Sequence, residues 1–129
     1  MALGKIKADT LEHSTAGSLD TQYVVNGSAK HFSRINLSGT DSITKSFNLS
    51  SITDYGTGSA DLSYTNAFSD ANYSLSGNHN GVSSNSASTV FGHDNSGLMT
   101  TSQVNVACFN GSGRTDATEC SSQIWGDLA

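Results

Sequence analysis

Five separated stretches of this chain alternate apolar and polar side chains with a period of two, and that rhythm restricts them to strands half buried in a sheet. Ile43, Phe47 and Leu49 alternate with Thr44, Ser46 and Asn48; Ala60, Leu62 and Tyr64 with Asp61 and Ser63; Tyr73 and Leu75 with Ser74 and Ser76. Val104, Val106 and Cys108 alternate with Asn105 and Ala107, and Cys120, Ser122 and Ile124 form a weaker last series. Between the series lie Leu-Ser-Gly-Thr (37–40), Tyr-Gly-Thr-Gly (55–58), Gly-Asn-His-Asn-Gly (77–81) and Asn-Gly-Ser-Gly (110–113). Gly and Asn reach positive φ at little cost there, so these are turns between antiparallel strands. The pattern predicts an all-β fold: a compact antiparallel β-sandwich or barrel-like domain over residues 26–129.

Helices are disfavoured on independent grounds. Ser, Thr, Asn and Gly supply 60 of the 129 residues, and these either compete for backbone hydrogen bonds or cost backbone entropy in a helix. With only 35% hydrophobic residues the core is thin, and self-association is the natural remedy. Before residue 26 the apolar side chains are irregularly spaced around Thr-Ala-Gly-Ser. Residues 1–25 therefore read as an extended N-terminal arm, a candidate anchor through Ile6, Leu11, Leu19 and Tyr23, with an edge strand of the same domain as the alternative. A net charge of −5 with six scattered Lys and Arg argues against nucleic-acid binding. No apolar run is long enough for a membrane span, and the start lacks the apolar centre of a signal peptide, so neither membrane insertion nor a cleaved leader is expected.

Residues 77–99 hold one apolar pair, Val90 and Phe91, in a polar background. A loop of that length is usually functional or disordered. The candidate contact residues in it are Asn78, His79, Asn80, Asn85, His93, Asp94 and Asn95. Catalysis needs nucleophiles, acids or ligands gathered in a pocket. The histidines His13, His31, His79 and His93 form no HExxH pair, and no Gly-x-Ser-x-Gly elbow occurs. His93 beside Asp94 is the best metal-binding fragment, most simply as copies around a symmetry axis, although a polar turn is the commoner use of such residues. Paired acids for glycan cleavage would come from Asp54, Asp61, Asp70 or Asp116, whose spacing suits turns equally well. The residues therefore predict a protein that is not an enzyme and needs no cofactor.

The order Asn-Gly-Ser-Ala-Lys (26–30), Asn-Leu-Ser-Gly-Thr (36–40), Ser-Phe-Asn-Leu-Ser-Ser-Ile-Thr-Asp (46–54), Gly-Thr-Gly (56–58) and Asp-Ala-Asn-Tyr (70–73) resembles a module of bacteriophage tail-fibre and other virion structural proteins. His31 and Phe32 stand where that family often has Trp, and Phe68 and Ser69 where it often has Met-Pro. The resemblance implies a β-rich homotrimer in the virion, assembled in the bacterial host cytoplasm, most simply a tail-fibre or adhesin subunit presenting loops to a host-surface glycan or protein. Its arm would bind other virion proteins. The alternatives are a capsid decoration, head-fibre or tail-connecting protein that binds no receptor, and, more remotely, a glycan-cleaving tailspike. If 104–109 and 118–125 form a hairpin, Cys108 and Cys120 lie opposite each other and a disulfide is geometrically open. A reducing site of assembly favours free thiols instead.

Overall fold

A computed structural model describes residues 7–80, 90–94 and 98–129, and in it the alternating stretches are strands of antiparallel sheets. In chain order the elements are β1 (Thr10–His13), β2 (Gly17–Asp20), α1 (Thr21–Gly27), β3 (His31–Asn36), β4 (Ser42–Phe47), β5 (Ser51–Gly56) and β6 (Ser59–Ser63), followed by β7 (Ser74–His79), β8 (Val90–His93), β9 (Gln103–Asn110), β10 (Gly113–Arg114) and β11 (Cys120–Trp125). One sheet has the order β4-β3-β11-β7. In the other, β5, β6 and β9 lie side by side, and Ala107 of β9 pairs with Ser59 of β6 on one flank and Gly92 of β8 on the other. The short β10 folds back on the end of β9.

Outside β4, whose Ile43 and Phe47 are 38% and 53% exposed, the two sheets meet through the faces that the alternation predicts to be apolar. Ile35, Cys120 and Ile124 from one and Ala60, Leu62, Val104, Val106 and Cys108 from the other are all 0% exposed and belong to one core cluster. Burying a side chain such as Leu62 or Ile124 contributes roughly 1.5–3 kcal/mol. Tyr64, Phe68 and Tyr73 extend the cluster with ring centroids 4.6–5.8 Å apart. At one margin the sheets come close enough that Gly77 of β7 can carry no side chain: a Cβ there would lie 2.5 Å from the Phe91 ring and 2.6 Å from the Ser121 carbonyl oxygen. The all-β expectation is met, as a sandwich with one short helix among the described residues.

Four details differ from the sequence reading. Within the arm expected over residues 1–25, the described part is not extended throughout: Gly17, at φ +92°, closes a hairpin between β1 and β2, and α1 follows directly. Phe47 and Leu49 do not share a face, because Asn48 between them is left-handed at φ 58°; the chain turns there, leaving Phe47 53% exposed and Leu49 buried. Residues 77–79 and 90–93 are strand, so the predicted loop is shorter than 77–99. Finally, β9 does not form a hairpin with β11. It turns at 110–112 into β10, and β11 crosses to the other sheet, between β3 and β7.

Candidate functional site

Among the described residues, the segment before β3 has no core of its own. None of the described side chains from Lys7 to Gly27 is buried. Leu11 and Leu19, paired across the hairpin, are 50% and 48% exposed; Tyr23, Val24 and Val25 on α1 are 61%, 40% and 59% exposed. Leu11, Thr21, Val24 and Val25 line a shallow hollow with Lys7 and Asp9. The segment holds its shape through polar links. The Thr21 amide donates to the Asp9 carbonyl at 2.8 Å and its hydroxyl to the Ala8 carbonyl at 2.7 Å, while Ser28 and Lys30 donate to the exposed carbonyls of Val24 and Val25 at the helix end. A seven-residue helix and a hairpin of four-residue strands are marginal alone in water. Of the predicted anchor residues, Leu11 and Leu19 are cross-strand neighbours and Tyr23 is exposed on α1, while Val24 and Val25 join Leu11 around the hollow; Ile6 lies outside the described residues.

A second surface is the outer face of the β4-β3-β11-β7 sheet. Register places Phe47, Phe32, Gln123 and Ser76 in one row across the four strands, and Lys45, Arg34, Ser121 and Asn78 in the next. Phe32 and Phe47 stack with centroids 6.1 Å apart and planes 20° from parallel. Arg34 reaches Glu119 at 2.5 Å, an exposed pair of little energetic weight. The small side chains on β7 and β11 leave open hollows lined by Ser76, Asn78, Ser121 and Gln123 and, further along, by Arg34, Asn80 and Glu119. Phe32 escaped the sequence reading because its strand contains a histidine and a serine at inward positions, which hides the alternation.

The predicted contact residues separate. Asn78 is exposed and hydrogen-bonds the Ser121 hydroxyl. His79, by contrast, is only 7% exposed, its ring nitrogens 2.8 Å from the Asn80 carbonyl oxygen and 3.2 Å from that of Phe109. Asn80 is spent on structure: its side chain accepts from the Glu119 amide at 2.9 Å and donates to the Thr118 hydroxyl at 2.9 Å. His93 is exposed, whereas Asp94 is 3% exposed and pairs with Arg114 at 2.6 Å, also receiving the Ser59 hydroxyl at 3.3 Å. Asn85 and Asn95 lie outside the described residues. Among the described residues, no three His, Cys, Asp or Glu side chains are grouped to hold a metal ion. Asp54 and Asp70 accept from the amides of Gly56 and Asn72 at 2.7 Å, and Asp116 from that of Gly58 at 2.6 Å, as turn-fixing carboxylates do.

Two polar sites went unseen in the sequence. His31, 0% exposed, sits 3.2 Å from the Ser122 hydroxyl, which in turn lies 2.8 Å from that of Ser33. Burial holds the His31 imidazole below its usual pKa, partly opposed by its contact with the Asn48 carbonyl. This Ser–His contact is sealed between the sheets, so no solute touches it in the closed fold. Asp41 carries a buried Oδ2 with no hydrogen-bond partner. Burial first, then the nearby Asp54 and Asp116, pushes its carboxyl up to about 6. Both sites depend on contacts between residues distant in sequence, and no local spacing signals them. No protein-family model, curated protein or solved structure matches this chain.

Proposed function

We propose that this chain is a bacteriophage virion structural protein, a tail-fibre or adhesin subunit that forms a homotrimer and works by assembly and surface contact. The observation that carries the reading is the N-terminal segment, in which Leu11, Leu19, Tyr23, Val24 and Val25 are 40–61% exposed. Leu11, Val24 and Val25 line one hollow, and apolar side chains exposed together in this way mark an interaction site. The segment anchors the subunit, joining copies and docking on other virion proteins. The sandwich domain beyond it turns its outer sheet face and the 77–99 region toward the host surface. The ordered motifs over residues 26–78 supply the virion part of the reading.

A capsid decoration or tail-connecting protein would use the same anchor without a receptor. The two are separated by locating the protein in an electron-microscopy map of the virion and by titrating purified protein onto host cells. A tail-tip location with saturable cell binding is the expected result. Tight binding to capsid shells with no cell binding would select the decoration role, and absence from the virion would overturn the proposal.

A further inference from the structure

Cys108 and Cys120 stand on different sheets and point at each other across the core. Both are 0% exposed, and their sulfurs are 2.9 Å apart. Neither backbone is free to drift. The Cys108 amide donates to the Gly58 carbonyl at 2.8 Å and its carbonyl accepts from Thr115 at 3.0 Å; Cys120 is in register with Ile35 on one side and His79 on the other. At this distance the sulfurs are closer than the roughly 3.5–4.0 Å at which even unbonded carbon atoms rest. A disulfide bond is about 2.05 Å long, so closure asks for a movement of under about 1 Å.

We propose that Cys108 and Cys120 form a disulfide that ties the two sheets together once the protein meets an oxidising medium. The oxidant is a small-molecule disulfide such as oxidised glutathione. One cysteine, as thiolate, attacks a sulfur of the oxidant and expels one glutathione thiolate. The second cysteine, as thiolate, then attacks the mixed disulfide and expels the other. Two protein S–H bonds and the oxidant's S–S bond are lost, one protein S–S bond forms, and the oxidant gains two electrons and, by way of solvent, the two protons, leaving as a pair of thiols. The hydrogen-bonded Cys120 neighbour and burial both hold the Cys108 thiol high, and the sealed core admits glutathione only when the sheets part, so the reaction is slow in the folded protein and faster at alkaline pH. The crosslink is independent of what the protein attaches to, and its failure would leave the virion reading untouched.

The test uses the full chain, purified under reductant and then held with excess oxidised glutathione at mildly alkaline pH. Acid quenching, unfolding, alkylation and intact-mass measurement follow. The expected product is a monomer-mass chain lighter by two hydrogen atoms that takes up no label, with a melting temperature several degrees above that of the reduced protein. Two labels after prolonged exposure, a persistent glutathione adduct or an intermolecular disulfide would overturn the proposal. Cys120→Ala should lose the dependence of melting temperature on oxidant. Should that variant fail to fold, the wild-type mass still decides the matter.

Discussion

Single positions carry more of this fold than the composition suggests, and Gly58 is the sharpest case. At φ +61°, a Cβ there would come 2.2 Å from the backbone oxygen of Thr115. Gly58→Ala should cost about 3 kcal/mol or more in urea unfolding, since backbone strain and a backbone clash add. The Gly-rich turn at 55–58 was legible in the sequence; the close approach of Thr115 was not, because it arises from the packing of a strand connection far along the chain. Asp41 gives a pH-dependent test. Its folded pKa, raised to about 6 from 3.8, means the native state binds more protons than the unfolded state between those values, so this group favours folding below the window and penalises it above. Asp41→Asn should therefore unfold at higher urea than wild type near about pH 8, with the difference vanishing below about pH 4. His31 has the opposite sign. Its lowered pKa leaves the buried ring neutral, so in Asp41→Asn stability should fall as the pH drops through about 6.5, the unfolded-state value.

Among the elements, the strands that kept a clean alternation were the readable ones. Residues 104–108 and 120–124 appear as β9 and β11 with the predicted side chains inward, because period-two patterning reports burial on one face directly. Pairing was not readable in the same way. β11 inserts between β3 and β7, and that choice rests on contacts over more than forty residues, for which the hairpin-like spacing of Cys108 and Cys120 is no guide. The end of β4 shows how one residue resets a face. Asn48 holds its left-handed backbone, and its side chain accepts from the Asn66 amide at 2.7 Å and donates to the Asn66 carbonyl at 3.1 Å. Asn48→Val loses both bonds and forces a β-branched residue into that conformation, so a loss of about 3 kcal/mol is expected in urea unfolding. The hairpin and helix of the N-terminal segment are not legible in the sequence for a related reason. Its apolar side chains are irregular in sequence because they are shared between a hairpin and a helix, and neither is long enough to display its own period.

At the scale of the whole molecule, the proposed self-association should act at the exposed apolar side chains of the N-terminal segment, Leu11, Leu19, Tyr23, Val24 and Val25. Replacing Tyr23 and Val25 together with Asp puts two charges into that contact while touching no buried side chain. The double variant should keep the wild-type unfolding transition of the sandwich and lose self-association in sedimentation. The contact-loop residues divided for a physical reason too: Asn80 and Asp94 sit beside backbone amides and a cation that a polar sequence pattern cannot reveal, whereas Asn78 keeps the outward position its strand phase assigns. The most direct test of the proposed assembly is the native mass of the wild-type protein over a wide dilution series. A trimer that persists across the series is the predicted result, and a monomer of 13.4 kDa at every concentration would contradict it.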